Sequence, residues 1–194
     1  MAVVLPFHPQ GDPIANRGIV ICSSAAGSLP NALWSLFRLA IGIAETQTDH
    51  DGTFDLAFAH ASAVRVAAMS AREVMPPLGF ALAVPVASPQ ELADVLRMDR
   101  FESHVRESLD RKRSWALLVA VDPTVRRTGI GRTLANAALN GIRGAQGERV
   151  YVAARARDSW IAHRLLGMRF SRDGVSSEVV PRVLFSSRSL SFDF

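Results

Sequence analysis

Residues Val121 to Arg132 read V-D-P-T-V-R-R-T-G-I-G-R, and the interpretation of the fold starts from this segment. Before it lies an apolar run that begins at Ser114 (SWALLVAV), and after it a segment from Ile130 to Arg143 has apolar residues at helical spacing. The first pattern predicts a strand buried on both faces, because almost every position is apolar, and the second predicts a helix. The quoted stretch is therefore predicted to join a buried strand to the start of a helix.

The composition of this loop is that of a phosphate-binding turn. The first N–H groups of a helix have no partner within the helix, and the helix dipole adds partial positive charge there. Gly129 and Gly131 have no side chain, so a ligand can approach the backbone closely. Three arginines flank the same helix start: Arg126, Arg127 and Arg132. The loop predicts a diphosphate site, and a tight turn with solvated arginines is the alternative.

Two nucleotide-binding motifs do not match the loop. The Walker pattern, Gly-x4-Gly-Lys-Ser/Thr, does not occur here, and the dinucleotide fingerprint requires a third glycine where Leu134 stands. Nucleotide hydrolysis and hydride transfer therefore have no support from this segment.

The loop resembles the acyl-CoA motif of the GNAT superfamily of N-acetyltransferases, V-x-P-x-x-R/Q-x-x-G-x-G/A, which follows the central strand of that family. The similarity covers residues 114 to 174, because Ala162 to Gly174 (AHRLLGMRFSRDG) is similar to the family's last helix and following strand. The resemblance implies a mixed α/β fold, in which helices flank a central mixed sheet. It also implies an acyl-CoA-dependent N-acyltransferase that moves an acetyl group from acetyl-CoA, or another acyl group, to a primary amine without a metal.

The same resemblance implies where the co-substrate binds. The diphosphate is expected on the N–H groups of the loop, at Arg126, Arg127, Thr128, Gly129, Ile130, Gly131 and Arg132. The pantetheine amides are expected on backbone groups at the end of the buried strand, at Val119, Ala120 and Val121. Asp158 stands where the family often has an asparagine that touches the cofactor, and it equally suits the N-cap of the last helix.

The family's usual catalytic groups are missing from their positions. Many members have a glutamate general base where Ala153 stands, and a tyrosine general acid in the last helix. Counting back from Gly167 puts His163 at the tyrosine position, whereas counting forward from Asp158 puts Leu165 there. Of these two residues only His163 is ionisable, and imidazole can donate or accept a proton near neutral pH. His163 is therefore the predicted catalytic residue, with a surface histidine as the alternative. The only tyrosine, Tyr151, lies on the preceding strand, and three further candidates suit a solvated helix face equally well: Glu102, His104 and Glu107.

Length and composition favour one domain. The chain has 194 residues, of which 48% are hydrophobic, enough for a single core. We expect an N-terminal part on the acceptor side (1–113), an acyl-CoA-binding core (114–174) and a C-terminal strand region (175–194). One cysteine, Cys22, makes neither a disulfide framework nor a zinc cluster, which favours a cytoplasmic protein. No export signal is visible, and no apolar stretch reaches the roughly 20 residues of a membrane span.

The charge is distributed unevenly along the chain. Residues 1–97 have a net charge of −3 and residues 98–194 a net charge of +7, and Lys112 is the only lysine. An arginine-rich half is suited to binding phosphates. A nucleic-acid-binding module is therefore an alternative class of function, although the sequence lacks the aromatic platforms and the readout helix of such modules. A catalytically inactive CoA-binding relative is a third class. The acceptor is left open: it is a small molecule, a protein or peptide amine, or an amine carried by RNA. Whether the protein forms a homodimer is also left open.

The remaining elements follow from local patterns. The predicted strands are Gly18–Ser24, Gly79–Ala87, Arg149–Ala154, Met168–Arg172, Glu178–Ser186 and, weakly, Phe54–Ala59. Helices are predicted for Ser28–Ala44 and Ser159–Leu166, helical spacing continues through Pro89–Lys112, and Ser62–Met75 suits a helix or a strand. The order strand, loop, helix, strand from Ser114 onward predicts a parallel pair with a helical crossover.

Overall fold

The computed structural model describes residues 19–23, 36, 60–70, 77–96, 98, 103–155, 170–176 and 182–187. These residues form a seven-stranded sheet with three α-helices. The strands are β1 (Ile19–Ser23), β2 (Val64–Ser70), β3 (Gly79–Val86), β4 (Ser114–Val121), β5 (Arg149–Arg155), β6 (Phe170–Ser176) and β7 (Arg182–Ser187). The helices are α1 (Pro89–Leu96), α2 (Ser103–Arg111) and α3 (Ile130–Gly144), and a 3₁₀-helix, η1 (Pro123–Val125), follows β4.

The strand order in the sheet is β1-β2-β3-β4-β5-β7-β6. Strands β1 to β4 pair antiparallel in chain order, β4 and β5 pair parallel, and β7 pairs antiparallel with both β5 and β6. The parallel pair is joined through α3, so the predicted parallel pair with a helical crossover is confirmed. The sheet is mixed, as the sequence predicts.

Apolar layers cover both faces of the sheet, and the side chains of β4 alternate between them. Ala116, Leu118 and Ala120 belong to a cluster with residues of α1 and α2, and we call this side the α1/α2 face. Trp115 and Leu117 belong to a second cluster with residues of α3, on the α3 face. Strand β4 is therefore buried on both faces, as its uninterrupted apolar run predicts.

Helix α3 packs on the sheet through one apolar stripe. Ile130, Leu134, Ala138 and Ile142 recur every fourth residue and are no more than 1% exposed. Gly141 lies where the helix is closest to β2, since a Cβ there would be 2.6 Å from Cγ1 of Val64. The predicted helix and its end at Gly144 are confirmed.

Several predicted segments differ in detail from the structure. The ambiguous segment Ser62–Met75 contains a strand, β2, which pairs with strands on both sides. The charged segment Pro89–Lys112 forms two helices rather than one. The buried Met98 lies between them, and its N–H donates to the carbonyl of Ala93 at 3.0 Å.

Other predictions fall on parts of the chain outside the described residues. These are the strand Phe54–Ala59, the helix Ser159–Leu166 and nearly all of the helix Ser28–Ala44. Within the last, Leu36 is described, and it is helical and buried against the α1/α2 face. None of the helices described here is long and apolar enough to cross a bilayer.

Candidate functional site

The loop after β4 begins with a capped turn. One carboxylate oxygen of Asp122, Oδ1, accepts hydrogen bonds from the N–H of Thr124 at 2.8 Å and from its hydroxyl at 2.5 Å. These two bonds stabilise the charged carboxylate and lower the pKa of Asp122, and the nearby Arg126 adds a smaller effect in the same direction. The N–H of Asp122 donates to the carbonyl of Leu78 at 2.9 Å. The start of the loop is thereby fixed against the strand next to β4.

The end of the loop contains two residues in the left-handed region. Arg127 has a φ of 63° and Gly129 a φ of 94°. This region costs an ordinary residue about 1–2 kcal/mol, whereas glycine adopts it readily. Gly129 is the N-cap of α3, and its carbonyl accepts the N–H groups of Arg132 at 3.0 Å and Thr133 at 3.1 Å. Glycine at position 129 is therefore required by the turn into the helix.

Four consecutive N–H groups at the start of α3 lack an acceptor within the part of the chain that the structure describes. They belong to Thr128, Gly129, Ile130 and Gly131. The Thr128 hydroxyl donates to the carbonyl of Val125 at 2.6 Å. Free N–H groups at a helix start, together with the dipole, stabilise a bound anion. The local geometry agrees with the predicted diphosphate site.

Three guanidinium groups surround this helix start. The side chains of Arg126, Arg127 and Arg132 are all exposed. Arg126 donates from Nε to the carbonyl of Val121 at 3.4 Å, which is long for a hydrogen bond and correspondingly weak. Exposed guanidinium groups next to free N–H groups match the charge and the shape of a phosphate.

Beside this loop the two parallel strands separate. The register of β4 and β5 comprises three pairs, Ser114 with Arg149, Trp115 with Val150 and Ala116 with Tyr151. Strand β4 continues to Val121 and β5 to Arg155, but no further pair joins them. The two strands therefore separate after Ala116 and Tyr151, and we call the space between their carboxyl-terminal parts the gap. The loop at the end of β4 lies at the open end of this gap.

Strand alternation decides which backbone groups of β4 face the gap. The carbonyl oxygen of Ala120 lies 2.8 Å from the position of a Cβ on Gly79, so Ala120 faces β3. Asp122, two residues on, also donates its N–H toward β3. The backbone groups of Val119 and Val121 must then face β5, because successive residues of a strand point to opposite edges. Of the three residues predicted to hold pantetheine, Val119 and Val121 border the gap.

The predicted catalytic residues fall mostly outside the part of the chain that the structure describes. His163 and Asp158 lie outside the described residues, as does Glu102. His104 and Glu107 are exposed on α2. Ala153, at the usual position of the glutamate, packs partly buried against the α1/α2 cluster and has no ionisable group.

Two features of the site are not predicted from the sequence. The first is the separation of β4 from β5, for which the apolar runs of the two strands carry no signal. The second is the burial of Tyr151, which is 0% exposed and lies on the same strand face as Ala153. The hydroxyl of Tyr151 is the single polar side-chain group in the stretch Val150 to Ala154, and this is the sequence signal that could have indicated it.

Comparison with known proteins relates the chain to acetyltransferases through structure alone. No family model and no curated protein matches the sequence. Among solved structures, the NatC complex bound to Gag peptide and CoA matches with a TM-score of 0.60 and 13% identity, over 89% of this chain and 99% of the other. Arabidopsis thaliana NAA60 in complex with acetyl-CoA matches with a TM-score of 0.58 and 20% identity, over 89% of this chain and 98% of the other.

One of the similar bacterial structures is described as a member of the GNAT family. A putative acetyltransferase of the GNAT family from Desulfovibrio desulfuricans matches with a TM-score of 0.54 and 16% identity, over 87% of this chain and 97% of the other. At these identities the similarity concerns the fold. The chain therefore has the fold of the GNAT superfamily of N-acetyltransferases.

Proposed function

We propose that the protein is an acyl-CoA-dependent N-acyltransferase that transfers an acetyl group from acetyl-CoA to a primary amine. The observation that carries this proposal is the gap between β4 and β5, which opens next to four free N–H groups and three exposed arginines. A diphosphate with an extended amide-containing arm matches both parts, and CoA has this chemistry.

The diphosphate binds the N–H groups of Thr128 to Gly131 in this proposal, with Arg126, Arg127 and Arg132 around it. The pantetheine amides pair with the backbone of Val119 and Val121, as an added strand would. A pantetheine N–H replaces the weak bond from Arg126 to the carbonyl of Val121, which releases that guanidinium for the phosphates. Asp158 stays a predicted contact of the cofactor.

The reaction then depends mainly on positioning. The amine nitrogen attacks the thioester carbon and a C–N bond forms. The C–S bond then breaks, the nitrogen loses a proton, and the departing thiolate of CoA takes up a proton, so that the products are the amide and the free thiol. Holding the amine beside the thioester supplies roughly 7–11 kcal/mol of the barrier. Since Ala153 cannot accept the amine proton, His163 is the proposed residue for proton transfer near the thiolate.

The acceptor is proposed to bind through the N-terminal part, residues 1–113. A peptide amine deserves the first test, because the NatC structure holds a peptide together with CoA. Small-molecule amines and an amine carried by RNA are the other classes to test. We propose a cytoplasmic protein, since Cys22 alone makes no disulfide framework.

Two measurements test the proposed function. Isothermal titration calorimetry with CoA and acetyl-CoA should show binding, and adenosine should bind far more weakly because it lacks the phosphates and pantetheine. Thiol release from acetyl-CoA is then followed over a panel of peptide and small-molecule amines. Absence of CoA binding by the folded protein would refute the proposal.

An inactive CoA-binding relative is the second candidate, and Ala153 at the position of the usual glutamate favours it. Such a protein would bind CoA and acetyl-CoA with similar affinity and release no thiol with any amine of the panel. Turnover above the background rate with one amine would exclude it.

A further inference from the structure

Tyr151 has a buried hydroxyl without a partner. Its side chain is 0% exposed, and its hydroxyl has no hydrogen-bond partner among the residues that the structure describes. An unsatisfied buried hydroxyl is costly, because it loses its bonds to water and gains none in exchange. Such a group is expected where another molecule supplies the acceptor.

The position of Tyr151 is the paired end of the gap between β4 and β5. It pairs with Ala116 in the last register pair that joins the two strands. Its side chain lies on the α1/α2 face, where the positions next to the gap are Ala116, Leu118 and Ala120 on β4 and Ala153 on β5. Three of these four residues are alanines, so most of the side chains that the two strands place beside the phenol are small.

The length of β4 relates this position to the loop. From Val121 back to Ala116 the strand spans about 17 Å, at about 3.3 Å per residue. If the proposed function holds, the pantetheine arm enters at the loop, runs along Val119 and Val121, and carries its thioester toward the paired end. The thioester carbonyl is the hydrogen-bond acceptor that such a ligand brings there.

We propose that the hydroxyl of Tyr151 donates a hydrogen bond to the carbonyl oxygen of the bound thioester. When the amine nitrogen attacks the carbonyl carbon, the C=O electron pair moves onto this oxygen, and the bond to Tyr151 strengthens as the charge develops. The oxyanion then collapses, the C–S bond breaks and the thiolate leaves. The tyrosine keeps its proton throughout, so its role is electrostatic.

A binding experiment tests this without knowledge of the acceptor amine. Because Tyr151 is the only tyrosine, protein labelled with ¹³Cζ-tyrosine gives one tyrosine resonance that reports on this hydroxyl. Saturating acetyl-CoA should shift this resonance by more than CoA does, since only acetyl-CoA has the carbonyl. Equal shifts with both ligands, at saturation measured by calorimetry, would overturn the proposal.

A pair of variants separates this role from a structural one. Tyr151→Phe removes only the hydroxyl and should lower kcat roughly 10²-fold to 10³-fold. Its Kd for CoA should not change, and its Tm should stay the same or rise. Ser114→Ala removes a buried hydroxyl on the bonded end of β4 that does have a partner, the Lys112 carbonyl at 3.2 Å. It should lower Tm and leave kcat unchanged.

The outcomes are distinguishable from failure of the proposed function. If wild-type protein binds no CoA, the function itself is wrong. If wild-type protein binds acetyl-CoA and is active but Tyr151→Phe loses Tm and keeps kcat, the hydroxyl is structural and this inference alone is wrong.

Discussion

Ala116 and Tyr151 are the last register partners of the parallel pair, and beyond them β4 and β5 have no common hydrogen bonds. The outer neighbours of the two strands keep them apart, because β4 stays paired with β3 up to Val121 and β5 stays paired with β7 up to Arg155. Each strand therefore keeps one bonded edge, while the end of its other edge has no strand partner among the described residues.

The start of α3 should be essential for CoA binding. Gly129→Glu places a negative charge at the proposed diphosphate position and strains a φ of 94°, so calorimetry should detect no CoA binding. Gly144→Glu is the matched control, since a Cβ at the other end of the helix meets no atom within 4 Å. Unchanged affinity in a folded Gly129→Glu variant would contradict the loop assignment.

Gly79 should be required for packing of β3 on β4. A Cβ there would lie 2.8 Å from the carbonyl oxygen of Ala120 and 3.0 Å from Leu134. Since the first of these is backbone, Gly79→Ala should lower the free energy of unfolding by about 1–3 kcal/mol. Denaturant unfolding measures this, and Gly144→Ala, in open space, should cost nothing or stabilise the helix. Equal stabilities of the two variants would refute the packing argument.

Asp122 should stabilise the fold in a pH-dependent way. Its lowered pKa means that the carboxylate stabilises the folded state above the unfolded pKa of about 3.9, and that this contribution is lost as pH falls through the folded value. Asp122→Ala should cost about 1 kcal/mol at pH 7, the usual value for loss of such a cap. The difference from wild type should shrink below about pH 4. Denaturant unfolding at several pH values tests this, and a difference that grows at low pH would be inconsistent with it.

His163 should affect chemistry rather than binding. If it protonates the departing thiolate, His163→Phe should lower kcat by roughly 10²-fold to 10⁴-fold and leave the Kd for CoA nearly unchanged. Steady-state kinetics and calorimetry on the same variant measure both quantities. A loss of kcat below about threefold would assign His163 to the protein surface, because general acid catalysis is worth far more.

Salt dependence should distinguish the acyltransferase from a nucleic-acid-binding module. For an RNA ligand, log affinity falls with log salt by about 0.7 per phosphate contacted. We expect weak RNA binding at physiological salt and a Kd for CoA on the order of micromolar. Fluorescence anisotropy of a labelled oligonucleotide and calorimetry with CoA measure the two affinities. A tight, salt-steep RNA complex without CoA binding would reverse the assignment.

Local sequence patterns are enough to predict the strand and the helix on either side of the loop. The apolar run from Ser114 to Val121 is buried on both faces, and Ile130 starts a helix with one apolar stripe, because both patterns reflect local periodicity. The loop between them carries its signal in adjacent residues, since glycine geometry and helix-start N–H groups are properties of a short segment. The twelve residues from Val121 to Arg132 therefore predict a phosphate-binding loop, which stays a prediction.

The position at which β4 and β5 separate depends on tertiary contacts and not on the local sequence of either strand. The point at Ala116 and Tyr151 depends on β3 and β7, which are distant in the chain and hold the outer edges of the two strands. The same long-range pairing turns Val119 and Val121 toward the gap and Ala120 away from it. Burial of the Tyr151 hydroxyl is likewise a tertiary property, because the apolar cluster around it is built from several strands and helices. Strand partners and side-chain burial result from contacts between remote segments, and no local pattern specifies them.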